Sequence, residues 1–504
     1  MTRKTSPRRS APATPDTAGA RRGLALAAIV LGSSLAFIDG TVVGVALPAI
    51  QGDLDASAAQ IQWVSNGYLL ALGALVLVGG AAGDRYGRKR VFIGGASLFT
   101  AASLLCGLVP GIEALVAARV LQGVGAAFLV PASLALVPVC FGPGERGRAL
   151  GIWAGASALA TALGPVLGGW LVDQAGWRWV FLINAPVAAI AVLLALAAIP
   201  ESRDRTARPP DWTGAALAVA GLGLLGFSLS GAVEWGLTSV RFFATLAAAL
   251  AALGLFVFVE RRARAPMLPL GMFRDRAFSG VNLLTVALYF ALSGAFYLLP
   301  FEWMRVDGLS AAETGAALAP FAVVLGLGAP LAGRAADRWG PRPFLIAGPL
   351  LAALGFALFI PPEAGADYWR AWLPGLVTLA LGMAIAIAPL TAALFAAADA
   401  DKAGLASGIN NAAARVGGML ATAVLTLVLG LAFAAATGLG VEEAGQRLAA
   451  VMGGDGEAAI TAAEKAAFRR GFQVSMAVAA GLALLSALIA ALTVPSGRPA
   501  QREA

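Results

Sequence analysis

Fourteen apolar runs, most of them about 20 residues long, divide this chain, and a helix needs about that length to cross the hydrocarbon of a bilayer. They fall at roughly 24–47, 60–82, 91–110, 113–138, 148–172, 179–199, 212–233, 240–259, 278–301, 314–333, 343–360, 371–396, 404–435 and 472–494. The runs are continuous, rich in Ala and Leu, and too long for strands, which excludes a β-barrel. Of the 504 residues, 59% are hydrophobic and 13% charged, too few charges to clothe a soluble domain of this size. The expected fold is an all-α polytopic membrane protein with 14 transmembrane helices.

The net charge of +8 forms no patch or stripe of the kind that binds nucleic acid. Lys and Arg sit in short clusters between apolar runs, at 85–90, 261–276 and 334–342 among others. With the N-terminus inside, the inner segments hold most of them, so both termini are expected to face the cytoplasm. The chain contains no histidine, which removes Ser-His-Asp chemistry and any histidine relay. Cys106 and Cys140 offer neither a disulfide framework nor metal-ligand spacing. No nucleophile, base or metal set converges, so no enzyme, cofactor or metal is expected, and a transported proton must ride mainly on a carboxylate.

Gly80-Ala-Ala-Gly-Asp84-Arg85-Tyr-Gly87-Arg88 recurs as Gly333-Arg-Ala-Ala-Asp337-Arg338-Trp-Gly340-Pro. Parallel repeats of this kind mark transporters built from two similar halves. A short loop with a carboxylate and several cations can pair with neighbouring helix ends and hold a gate shut. The plainer reading is a topology cluster with a turn glycine.

Arg119, in Arg119-Val-Leu-Gln122-Gly123, lies inside an apolar run, where an arginine costs about 2.5–3.5 kcal/mol and needs a partner. Asp39 lies roughly 22 Å along the first run, and Arg119 about 9 Å inward from Glu113 in the fourth. The two charges fall at similar depth and form a candidate proton-coupling pair; the plainer reading of Arg119 is a snorkelling residue. In the fifth run, Gly155-x8-Gly164-Pro165-x2-Gly168-Gly169 combines close-packing glycines with a ladder-breaking proline.

Together these strings resemble the major facilitator superfamily, and within it the fourteen-span drug:proton antiporters of the EmrB/QacA type. The Asp84 string is similar to the family's cytoplasmic loop motif, the Arg119 string to its proton-coupled fourth span, and the Gly164-Pro165 string to its antiporter motif. Further matches are Trp177 to Pro186, Asp211-Trp-Thr-Gly214, and Gly404 to Asn411 followed by Arg415. Gly44 departs from the pattern, which usually has Asn in the first span.

The resemblance implies two six-helix bundles of the major facilitator fold plus two inserted central helices. The organisation is then a disordered cytoplasmic tail over 1–22, a bundle over 23–200, the inserted pair over 201–265, a bundle over 266–495 with a long outer loop near 436–471, and a tail over 496–504. It implies a proton-coupled exporter of small amphipathic compounds in the plasma or inner membrane, working as a monomer by alternating access. The alternatives are an uptake symporter, or an exporter of one specific metabolite, on the same fold. Asp39 and Arg119 would couple the proton. Gly80, Asp84, Arg85, Gly87, Arg88, Asp337 and Arg338 would form the cytoplasmic gate. Trp63, Tyr68, Gln122, Tyr289, Phe290, Tyr297, Asn410 and Glu302 are candidates for the substrate cavity, although single aromatics are more often lipid-facing. Glu302 is expected at an outer span end, with Arg305 one turn away as a possible ion partner. With Asp39 the one acid deep in an apolar run, the sequence tilts towards neutral, monocationic or weakly charged substrates.

Overall fold

The computed structural model describes residues 15–204, 206, 207, 209–360, 367–398, 402–453 and 460–496. Helices α1 (Pro15–Asp53), α2 (Ala58–Tyr86), α3 (Arg88–Leu108), α4 (Ile112–Cys140), α5 (Pro143–Ala175), α6 (Trp179–Leu182) and α7 (Asn184–Ala198) pack on one another. So do α10 (Arg276–Phe301), α11 (Ala311–Trp339), α12 (Arg342–Ala357), α13 (Leu373–Ala397), α14 (Ala403–Thr437), α15 (Val441–Gly453) and α16 (Ala462–Thr493). Between them, α8 (Trp212–Trp235) and α9 (Val240–Arg262) pair with each other, and α8 lies against α2 and α14. Ser230 on α8 donates to Gln62 on α2 at 2.8 Å and fixes that contact.

The internal repeat is built from matching local signals. Helices α2 and α11 are each 29 residues long. Each starts on a capping box, Ser57 with Gln60 and Ser310 with Glu313, in which the serine hydroxyl and the longer side chain satisfy one another's backbone N–H groups. Each stops at a glycine of positive φ, Gly87 at 118° and Gly340 at 80°, a conformation that side chains with a Cβ resist. These stops place Asp84 and Asp337 at one end of the molecule, here the basic end; the capping boxes mark the far end.

Thirteen helices among the described residues are long and apolar enough to cross a membrane. The run expected at 343–360 differs. It forms α12, of 16 residues and about 24 Å, packed against α13 and α16. Two other expectations are corrected. The long outer loop near 436–471 is largely helical: α14 reaches Thr437, α16 begins at Ala462, and α15 lies between. Val441, Ala444, Leu448 and Val451 recur at helical spacing along α15, and the last three are buried. The tail expected over 1–22 is helical from Pro15, while residues 1–14 and 497–504 lie outside the described residues.

The halves meet along α2 with α14 and α5 with α11. At the far end α5 and α11 touch: a Cβ at Gly169 would strike the Ala311 carbonyl, and one at Gly315 the Pro165 carbonyl. On the same face nearer the basic end, a Cβ at Gly155, Gly151 or Gly326 would meet nothing within 4 Å. The two helices therefore splay, closed at the far end and open at the basic end.

Candidate functional site

Asp39 is fully buried in the middle of α1, and Arg119, on α4, is 1% exposed. Arg119 Nη1 donates to Asp39 Oδ2 at 2.6 Å and to Gln122 Oε1 at 2.6 Å, and Nε donates to the Val64 carbonyl of α2 at 2.9 Å. Gln122 sits three residues after Arg119, on the same helix face. Its Nε2 donates to Asp39 Oδ1 at 2.8 Å and to Ser103 Oγ of α3 at 3.1 Å. Asn184, the first residue of α7, donates to Ser103 Oγ at 3.0 Å and more weakly to Asp39 Oδ1 at 3.4 Å. Ser103 in turn donates to the Phe181 carbonyl at 2.8 Å. The Arg119 guanidinium lies 4.5 Å from the Tyr68 ring centroid, a cation–π distance, and Tyr68 donates to the Ala36 carbonyl at 3.1 Å.

Five helices thus converge on one carboxylate. In so dry a place an ion pair holds only when its remaining donors and acceptors are matched, as these are. Neutralising Asp39 would leave Arg119 with Gln122 Oε1 and the Val64 carbonyl, so the same residues can accommodate two charge states. Gln122 and Tyr68, read from sequence as cavity candidates, are spent within this network. Ser103 was missed because a lone serine in an apolar run carries no signal, and Asn184 was seen only as part of a longer string.

The glycines of α5 serve this site from outside. A Cβ at Gly164 would overlap the Thr41 hydroxyl, and one at Gly168 would press on the Val42 carbonyl at 2.7 Å. Both neighbours lie within one turn of Asp39. Thr41 also donates across to the Thr161 carbonyl of α5 at 3.2 Å. Gly44 and Gly40 face open space, with nothing within 4 Å of a Cβ at either.

At the basic end, Arg88 donates to Asp84 Oδ1 through Nη2 at 2.8 Å and Nε at 3.0 Å, and through Nη1 to Ser202 Oγ at 3.2 Å. The Asp84 carbonyl accepts the Asp204 N–H at 2.9 Å, and Arg85 donates to the Ala207 carbonyl at 3.3 Å. Glu201 accepts the Lys89 and Arg90 N–H groups at the first turn of α3, where a carboxylate meets the positive end of the helix. It also sits against Gly87, where a Cβ would lie 2.7 Å from its oxygen. A Cβ at Gly80 would reach Pro131 at an ordinary 3.8 Å. Asp337 is exposed at the end of α11, and Arg338 lies beside the Trp339 ring at 5.9 Å.

Glu302 lies in a wide helical turn, Glu302–Val306, that carries α10 onward, and it is buried. The cation against it is Arg469 of α16, whose Nε donates to Glu302 Oε1 at 2.6 Å and whose Nη2 donates to Asp307. Arg305, expected as its partner, gives its guanidinium to the carbonyls of Pro48, Gly453 and Met452 at 2.6, 2.6 and 2.8 Å, tying α1 to the end of α15. A cation there meets the negative end of a helix. Glu302, and Glu260 near the end of α9, are enclosed as Asp39 is, but they lie at helix ends and not in mid-helix. Among the other cavity candidates, Tyr297 is buried against Phe301. Trp63 packs near Phe227, while Tyr289 and Phe290 are half-buried. Asn410 donates to Thr285 at 2.8 Å and to Asn282 at 3.3 Å.

The Major Facilitator Superfamily profile matches residues 29–422 and 281–504. The tetracenomycin C resistance and export protein of Streptomyces glaucescens is 37% identical over 80% of this chain and 75% of its own. The multidrug resistance protein Stp of Mycobacterium tuberculosis is 36% identical over 81% and 75%, and the puromycin resistance protein pur8 of Streptomyces alboniger 34% identical over 96% and 93%. Among solved structures, a bacterial homologue of the human lysosomal transporter Spinster, inward-facing and unoccupied, superposes with a TM-score of 0.65 at 18% identity, covering 96% of this chain and 98% of its own.

Proposed function

We propose, from the premise that the chain belongs to the Major Facilitator Superfamily and to its drug-efflux branch, that it exports small amphipathic compounds, antibiotics among them, in exchange for protons. It is a multi-pass membrane transporter of small molecules and not an enzyme. Relatives named for resistance or export of tetracenomycin C and puromycin support export over uptake.

The observation that carries the proton coupling is the buried Asp39–Arg119 pair with Gln122 and Asn184 on the second carboxylate oxygen. In the reading proposed here, Asp39 takes a proton from the far side and releases it at the basic side. Each change of charge rewrites the bonds that join α1 to α4 and α7. Because α1 also packs against the glycine face of α5, that change bears on the α5–α11 contact that closes the far end. The two helix bundles would rock about a central cavity, with the two inserted helices alongside. At the basic end, Asp84 and Arg88 hold each other within their own half while the end is open. On closure the same charges, with their counterparts Asp337 and Arg338, would become the gate. The basic end is assigned to the cytoplasm by its Lys and Arg content, which puts both termini there, and one chain carries the whole path.

The test is expression in an efflux-deficient bacterium, scored for resistance to a panel of antibiotics and dyes with and without a protonophore. Resistance that vanishes with the protonophore is the expected result. Resistance untouched by it removes the proton coupling, and accumulation in place of extrusion removes the export reading.

A further inference from the structure

Arg119, Arg469 and Arg415 all lie within long helices, and their surroundings differ. Arg119 has Asp39, and Arg469 has Glu302 and Asp307. Arg415 stands about 18 Å along α14 from Ala403, and among the described residues it makes no hydrogen bond and no ion pair. It is half-buried on the seam between α14 and α2. The seam is cut to hold it: a Cβ at Gly73 of α2 would lie 2.9 Å from the Arg415 Cβ, so the glycine makes room for the arginine stem.

A bare guanidinium in mid-membrane is costly, and such residues face water-filled cavities or substrate paths. The splay of α5 from α11 supplies an opening between the halves. Tyr289 stands on α10 at the level of Arg415: α10 packs against α14, and a Cβ at Gly417, two residues after Arg415, would lie 3.3 Å from the Phe290 N. The Tyr289 side chain likewise makes no hydrogen bond among the described residues, and it is half-buried. Asn410, further towards the basic end, faces α10 with its amide on Thr285 and Asn282. Arg415 and Tyr289 stand on packed neighbours of the second half, α14 and α10, and with no side-chain hydrogen bond of their own among the described residues they present donors alone.

We propose that Arg415 and Tyr289 form the anchoring subsite of the transport cavity and that it takes an anionic oxygen (a phenolate, enolate or carboxylate) on an apolar, largely aromatic body. Arg415 forks onto the oxygen, Tyr289 donates to it, and a cationic compound is repelled at the same place. This rests on the export reading of the cavity and narrows the tilt towards neutral, monocationic or weakly charged substrates to weakly charged anions.

Equilibrium binding to the purified full-length chain tests it, using two xanthene dyes of shared ring body, fluorescein as the anion and rhodamine 123 as the cation, at pH 8. Fluorescence polarisation with no gradient present keeps the result separate from proton coupling and from export, which the resistance panel reads. Wild type should bind fluorescein at least about ten-fold tighter than rhodamine 123, the scale of one charge-assisted hydrogen bond. R415Q should weaken fluorescein by about ten-fold or more and leave rhodamine 123 equal or tighter, and R415K should retain most of the fluorescein affinity. The wild-type preference stands as a measurement even if R415Q does not fold. Preference for rhodamine 123, no saturable fluorescein binding, or R415Q binding fluorescein as wild type does would each overturn the assignment.

Discussion

Arg119 holds its guanidinium 2.6 Å from Asp39, a residue 80 positions earlier in the chain, and neither side chain is more than 2% exposed. Removing one partner of a buried pair strands the other, which costs about 3–5 kcal/mol. R119M should therefore lower the thermal stability of the purified protein and abolish transport together. A melting temperature equal to wild type in a size-exclusion or fluorescence thermal assay would mean that the pair is not held as described.

The polar groups around Asp39 should rank by the bonds they make. Gln122 links Asp39, Arg119 and Ser103, whereas Asn184 reaches Asp39 only at 3.4 Å. Q122A should thus lose more transport than N184A, with N184A retaining activity within about ten-fold of wild type, the worth of one ordinary hydrogen bond. Initial rates of proton-driven efflux in vesicles give the order, and a reversed order contradicts the geometry.

How much of this was legible in the sequence depends on the range of the interaction. The apolar runs, the Asp84 and Asp337 copies and the matched depth of Asp39 and Arg119 all follow from local spacing and helix rise. Arg469 did not, because it reaches Glu302 from 167 residues away and sat in a stretch read as loop. The helix in that stretch was visible in principle, since its apolar residues repeat at three and four, but it is too short to register as a span. Ser103 became meaningful only once Gln122 and Asn184 were seen to share it.

The far-end closure gives a matched pair of substitutions. In G169A the new methyl group meets the backbone carbonyl of Ala311, which cannot rotate away, whereas in G155A it meets open space. G169A should push α5 from α11 and raise the labelling of a single cysteine placed at the far end, while G155A should transport as wild type. Equal labelling in both would mean that the α5–α11 contact does not close that end.

Arg469 serves two carboxylates, Glu302 and Asp307, so its loss leaves both without that cation. R469M should cost about 3–5 kcal/mol, whereas E302Q removes one charge, keeps an acceptor oxygen for Arg469 and leaves Arg469 paired with Asp307, and should cost less. Comparing the two melting temperatures checks this; E302Q falling below R469M would contradict it.

The central claim is that Asp39 carries the exchanged proton. In proteoliposomes holding a trapped pH dye, a compound identified by the resistance panel should drive proton movement opposite to its own flux through wild type. D39N, whose amide cannot cycle its charge, should still exchange labelled for unlabelled compound across the bilayer but move no protons. Substrate-driven proton movement by D39N at the wild-type ratio would contradict the account.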